Sequence, residues 1–341
     1  MWNFFGKSKK NRNLYLIISI FLLFILMGLR SYKIGSDTYS YCMNYYKTSS
    51  LSWSELLNQN LSLGNKNYGF FILNKLISMI FLKNYTFYLI CISGIISFAM
   101  YEFILKFSKN YLMSLIILFS LGFIFFFMSG IKQTLAISFI LLSYIKLQEK
   151  RYIVFVLMVI FAASFHNTAI ITLILLVVHK LKIRKLYFFI VPVVIVFSII
   201  FQRKIAYFFQ NMVSSGKYAV YGTSYIAISN LTGLYIQCVI ILTVFLLVGY
   251  RLKEDKELQF YIFIYSIGIF FQTLTPVIAE FFRISMYFNI IGCVLLPYAI
   301  FNSKYKQKKF ISGAIILFFI FYFYVSSKDN LSLVPYEFFF Y

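Results

Sequence analysis

LYLIISIFLLFILMGL, residues 14–29, decides the fold. Sixteen residues pass without a charge, and apolar positions do not alternate with polar ones. A membrane strand alternates over roughly ten residues, because one face meets lipid and the other a lumen. This run is apolar all round, so it reads as a helix. In lipid no water satisfies backbone N–H and C=O groups, which leaves helices and closed barrels as the only spanning structures. Similar runs recur at about 68–82, 85–105, 111–128, 131–147, 152–165, 167–178, 186–201, 233–250, 259–279, 284–302 and 310–325. Of 341 residues, 61% are hydrophobic and 12% charged, with mean hydropathy +0.83; a soluble domain carries roughly 25% charged residues. The chain reads as one all-α, polytopic integral membrane domain over 1–341.

The net charge of +22 suits nucleic acid at first sight. Its distribution argues otherwise, since Lys and Arg fall in short clusters between apolar runs, as orientation signals do. No nucleic-acid partner is expected. If every apolar run crossed, the clusters at 146–151, 180–185, 251–256 and 304–309 would face opposite to the N-terminal cluster at 7–12. Segment 68–82, YGFFILNKLISMIFL, is short and carries Asn74 and Lys75 in its middle. With 68–82 re-entrant or interfacial, about 11 spans remain. The N-terminus is then cytoplasmic, the C-terminus external, and 30–67 and 202–232 are external loops. No small-residue cleavage site follows the first apolar run, so it reads as a retained signal anchor. Cys42, Cys91, Cys238 and Cys293 are scattered, with neither zinc spacing nor a disulfide framework.

After the first run comes RSYKIGSDTY, residues 30–39, which opens a tyrosine-rich polar loop. Arg30 suits a phosphate and Asp37 a hydroxyl, while Tyr32, Tyr39 and Tyr41 offer faces on which sugar rings stack. Arg30, Lys33, Lys132, Arg203, Lys204 and Arg283 all sit at outer ends of spans, against the orientation rule. Charges beside spans mark functional cavities, and a basic outward cavity suits a lipid diphosphate. Against this, each could snorkel to headgroups. His166 interrupts two apolar runs at an outer turn and could accept a proton from a hydroxyl; it could equally cap a helical hairpin with Asn167 and Thr168. Lys132 and Gln133 begin a span in SGIKQTLA (129–136), where a helix N-terminus favours an anion. Glu280 and Arg283, three apart in EFFRISMYF (280–288), could form a plain ion pair. His179 belongs to a basic inner loop. The chain has three aspartates, Asp37, Asp255 and Asp329, so no paired-aspartate metal site forms locally, and no nucleotide motif is present. No metal and no cofactor are expected.

LRSYKIGSDTYSY, NYGFFILNKLIS, SGIKQTLAISFILLSYIKLQEKRY, FAASFHNTAII, FFRISMYF and VPYEFFF follow in this order across nearly the whole chain. The succession resembles the EpsG family, related to the Wzy-type polymerases of exopolysaccharide, capsule and O-antigen repeat units. The resemblance implies a GT-C-like polymerase on the outer leaflet of the bacterial cytoplasmic membrane. It would move a growing glycan from undecaprenyl diphosphate onto the next lipid-linked repeat unit without metal. By the same resemblance Asp37 and His166 are the catalytic candidates, and Arg30, Lys132 and Arg283 the diphosphate contacts. Relatives carry Arg-Gln where this chain has Lys132-Gln133, which keeps the charge and loses the planar fork. Tyr32, Tyr39 and Tyr41 would hold sugar. The implied partners are the lipid-linked oligosaccharide, membrane lipid, and flippase and chain-length regulator proteins.

Two other classes compete. A flippase or exporter of lipid-linked oligosaccharide also needs a basic aromatic cavity, yet it must open to the cytoplasm, and the inner halves of the spans hold few ionisable residues beyond Glu102 and Lys146. A membrane O-acyltransferase or glycan ligase would use an outer histidine and leaves the 30–39 motif unexplained.

Overall fold

The computed structural model describes residues 9–62, 67–81, 83–180, 186–213, 232–252, 254–276, 278, 280–327 and 333–340. Among these the protein is all-α; the departure from helix and turn is an isolated antiparallel bridge between Arg30 and Phe338. The chain forms two compact units, residues 1–173 with 316–341, and residues 174–315.

In the first unit α1 (Lys9–Gly28) packs on α5 (Tyr85–Phe107). Asn84 caps α5 by accepting from the N–H groups of Thr86 (2.9 Å) and Phe87 (3.3 Å), which satisfies two of the donors a helix start leaves open. The polar 30–67 segment is itself largely helical, as α2 (Thr38–Ser50) and α3 (Trp53–Ser62). The next helix, α4 (Tyr68–Ile80), packs on α2. With 13 residues it is about 20 Å long, against a hydrocarbon core of roughly 30 Å. Its Lys75 donates to the carbonyls of Ser49, at 3.1 Å, and Leu51. A cation on the carbonyl end of a helix meets its partial negative charge, so the lysine that looked foreign to an apolar run is the C-terminal cap of α2.

The apolar run 111–128 is not one straight helix. It folds as α6 (Tyr111–Ser120) and α7 (Phe123–Ser129), bent by 61°. Next come α8 (Ile131–Gln148) and α9 (Tyr152–Phe165), packed on each other; at His166 the chain turns extended and returns against α9 as a 3-10 segment, Asn167–Leu173.

The second unit holds α10 (Ile174–Lys180), α11 (Leu186–Ile200), α12 (Gln202–Val213), α13 (Thr232–Val248), α14 (Lys256–Leu274), α15 (Glu280–Asn289) and α16 (Gly292–Asn302). α17 (Lys308–Ser326) leads back into the first unit. Asp255 caps α14 through the Leu258 N–H at 3.0 Å and accepts from the Tyr298 hydroxyl at 2.9 Å. Helix α14 stops before Pro276, which has no N–H to give and disfavours helix in the residue before it.

Six described helices or helix pairs are long and apolar enough to cross a membrane, and α6 with α7 would make a seventh. The described parts of the other expected crossings fall on shorter helices or outside the apolarity that marks a span. Burial grades them: 89% of the apolar window of Glu280–Asn302 is covered by protein, against 11% for α17.

Described members of the basic clusters meet within each unit. In the first, Arg12 donates to the Lys109 carbonyl at 3.5 Å and lies over the Tyr111 ring, while Lys106 and Lys146 meet Glu149 at 3.9 and 3.1 Å. In the second, Arg251 holds Asn302 Oδ1 at 3.0 Å and Lys304 lies 5.5 Å from the Tyr250 ring centroid.

Candidate functional site

The first loop is built at the opposite end of α1 from Arg12. Just past the helix, Arg30 turns inward and is 2% exposed. One Nη donates to the Met27 carbonyl and the other to the Met128 carbonyl at 2.9 Å, while Nε has no partner. Burial pulls the Arg30 pKa below the usual arginine value, and the nearby Tyr85 and Tyr336 oppose the shift. An arginine starts from so high a value that it stays charged.

The rest of the loop clamps onto the same break between α7 and α8. The Thr38 hydroxyl donates to the Met128 carbonyl at 3.1 Å, Ser36 and Ser129 hydroxyls meet at 2.8 Å, and the Asp37 N–H donates to Ser129 Oγ at 3.3 Å. This close approach requires Gly35. Its φ is +96°, and a Cβ there would sit 2.9 Å from the Met128 carbonyl oxygen.

The C-terminal segment closes the arrangement from the other side. Ser31 N–H donates to the Glu337 carbonyl at 2.9 Å, and Phe339 N–H to the Leu29 carbonyl at 3.0 Å. The Tyr336 hydroxyl reaches the Leu26 carbonyl at 2.5 Å, and Lys33 lies 3.5 Å from Glu337. Motifs roughly 300 residues apart in sequence thus form a two-stranded clasp.

Between clasp, α2 and the start of α5 lies a cleft of about 230 Å³. Arg30, Tyr32, Cys42 and Tyr46 line it from the loop and α2, Asn84, Tyr85 and Thr86 from α5, and Phe339 from the C-terminal segment. The Tyr85 hydroxyl donates to the Thr38 carbonyl at 3.2 Å, tying the wall to the loop. Behind it the buried Tyr45 ring packs 4.6 Å from Tyr88 and 5.9 Å from Tyr85. Burial pushes the Cys42 thiol up to about 11 and the Tyr45 hydroxyl up to about 12. At neutral pH both are uncharged, and Cys42, which lines the cleft, is a poor nucleophile.

The remaining candidates of the first unit do not line the cleft. Tyr39 pairs with Tyr32, ring centroids 6.2 Å apart, and so stands at its margin. A second group gathers on the start of α4. Lys132 Nζ lies 4.9 and 5.0 Å from the ring centroids of Phe70 and Phe71, and Tyr41 meets Phe70 edge-on at 5.6 Å. Gly69 lets α4 touch α9: a Cβ would fall 2.1 Å from Ser164 Oγ. Two residues on, His166 Nδ1 and the Thr168 hydroxyl meet at 2.7 Å. Asp37, exposed on the first loop, enters no ion pair among the described residues.

Arg283 belongs to the second unit, where its Nε lies 3.5 Å from Glu280. Both side chains are roughly 40% exposed. Of the expected loop 202–232, residues 202–213 are helix α12 and 214–231 lie outside the described residues. Sequence reasoning missed Asn84, Tyr85, Thr86 and Phe339 as cleft residues. The N-cap signal of Asn84 before an apolar run was there to be seen; nothing local marks Phe339.

Fold and site together define a class, a multi-pass helical membrane protein whose first unit carries a cleft with a buried arginine and aromatic walls. The chain belongs to the EpsG family, whose model matches residues 13–338. No curated protein and no solved structure matches it. Membership connects the chain to bacterial polysaccharide biosynthesis and to glycosyltransferase-like polymerases.

Proposed function

We propose that this protein polymerises undecaprenyl-diphosphate-linked oligosaccharide repeat units on the outer leaflet of the bacterial cytoplasmic membrane. The observation that carries the reading is Arg30. A charged side chain, buried at 2% exposure with its Nε unpartnered, lines a cleft, and burying a charge costs several kcal/mol unless something uses it. A diphosphate leaving group is a ligand that fits.

In this reading an acceptor hydroxyl attacks the anomeric carbon of the donor sugar. The bond from that carbon to the phosphate oxygen breaks, and the electron pair leaves with the diphosphate. Arg30 faces that departing charge, and Lys132, one turn past Met128, adds to the local positive potential. Asp37 or His166 takes the hydroxyl proton. Tyr32 and Tyr39 at the cleft margin, with Tyr41 by α4, hold sugar. Arg283 is proposed as a diphosphate contact of the second unit on the strength of the family resemblance. Donor and acceptor lipids reach the protein from the bilayer, with a flippase supplying repeat units and a chain-length regulator acting on the product.

The test is complementation. A strain lacking this gene should accumulate single lipid-linked repeat units and regain polymer with the wild-type chain. An Asp37→Asn, His166→Gln double variant at normal protein level should restore none. Full-length polymer from that variant overturns the catalytic assignment.

A further inference from the structure

We propose that Phe339 is the sugar-stacking wall of the Arg30 cleft, and that this cleft takes one pyranose together with the anionic group attached to it. The proposal rests on the lipid-diphosphate reading above and deepens it.

Size sets the first limit. The cleft, at about 230 Å³, falls short of the roughly 300–1,000 Å³ of pockets that enclose a drug-sized ligand, so it does not enclose a whole oligosaccharide repeat unit. A single sugar ring with a phosphate fits. The lining is graded in the way such a ligand requires. Arg30 is charged and nearly fully buried, whereas Tyr32, Tyr46 and Phe339 are 46%, 45% and 47% exposed.

Phe339 is the residue whose placement asks for a reason. It is half-exposed and lines a polar cleft, while its backbone is fixed by the bond to Leu29 and the neighbouring bond between Ser31 and Glu337. The clasp therefore presents a rigid aromatic face at little further entropic cost. A pyranose carries one face of C–H groups, which packs on the electron-rich face of an aromatic ring. The edge-on contact of Phe339 with Phe340, centroids 5.1 Å apart, is the competing structural role. A purely structural role predicts equal weakening for lipids with and without the sugar.

The probes are a prenyl diphosphate carrying one sugar and the same prenyl diphosphate without it, titrated against the full-length protein in nanodiscs. Phe339→Leu keeps the apolar bulk and removes the π face; Phe339→Trp restores one. The expected result is binding of the glycosylated lipid weakened about tenfold by Phe339→Leu, recovered by Phe339→Trp, with the sugar-free lipid unaffected. Unchanged binding of the glycosylated lipid by Phe339→Leu overturns the proposal. Equal weakening for both lipids overturns it too, making Phe339 a packing residue. If the wild-type protein binds both lipids equally, the sugar subsite falls and the lipid-diphosphate reading stands. If it binds neither, both fall.

Discussion

Arg30 serves the fold and the proposed chemistry at once, and the two roles separate by experiment. Its guanidinium joins the end of α1 to the α7–α8 break through Met27 and Met128. Arg30→Ala therefore takes the side-chain donor from the Met27 carbonyl and leaves the Met128 carbonyl to Thr38 alone. A buried carbonyl short of a donor costs about 1–3 kcal/mol, so the variant should lower the melting temperature as well as polymer yield. Arg30→Lys keeps a charge but lacks the planar fork that reaches both carbonyls. It should restore neither fully. Arg283, half-exposed beside Glu280, separates the roles better: Arg283→Ala should cut transfer on the order of 10²-fold with thermal stability unchanged. Full activity in Arg283→Ala would leave it as the ion-pair partner of Glu280. For the base, Asp37→Asn is expected to abolish transfer while substrate still binds, and His166→Gln to retain some activity. The carboxylate of Asp37, exposed and in no ion pair among the described residues, favours Asp37, whereas His166 already engages Thr168. If His166 is the base, the severities reverse and the rate falls on the acid side of neutrality. RSYKIGSDTY drew attention in the sequence because arginine, aspartate and tyrosine follow an apolar run there, and of these Arg30 and Tyr32 line the cleft while Asp37 and Tyr39 do not. The division of the candidates between a cleft and the α4 group was not legible, since it depends on the turn at Gly35.

At the scale of elements, helices were legible wherever lipid or protein surrounds an apolar run, because backbone satisfaction leaves no other option. Three features escaped. The 61° bend between α6 and α7 interrupts a run whose hydropathy never falters. Helices α2 and α3 formed in a stretch read only as a loop, since α2 carries little apolar periodicity and α3 is only ten residues long. The clasp of residues 337–339 on 29–31 leaves no local trace, as neither strand alternates. Segment 68–82 was singled out by Asn74 and Lys75, and the lysine now has its partner in α2. Asn74 is fully buried with both amide atoms unpartnered, and neither its sequence nor its surroundings supply a reason. A helix whose middle residue caps a loop helix lies beside that loop, so α4 is expected not to cross the membrane. In a cysteine-free background, Asn67→Cys and Lys83→Cys should react with an impermeant thiol reagent from the same side. Labelling from opposite sides would make α4 a crossing.

For the molecule as a whole, described members of the basic clusters meet in the first unit, where Arg12 reaches Lys109 and where Lys106 and Lys146 share Glu149. In the first unit the cleft lies at the far ends of α1 and α5 from them. Positive charge is retained on the cytoplasmic side, so the cleft is expected to face outward. Cysteine at Gln148 should be protected from an impermeant reagent in intact cells and cysteine at Ser327 accessible; labelling of Gln148 from outside would invert the topology. The central claim is polymerisation, and it is tested most directly by the purified full-length protein in liposomes, given only undecaprenyl-diphosphate-linked repeat units. The account predicts glycans of several repeats, with one undecaprenyl diphosphate released for each linkage formed. Repeat units that move from one leaflet to the other without lengthening would contradict it and make the protein a transporter.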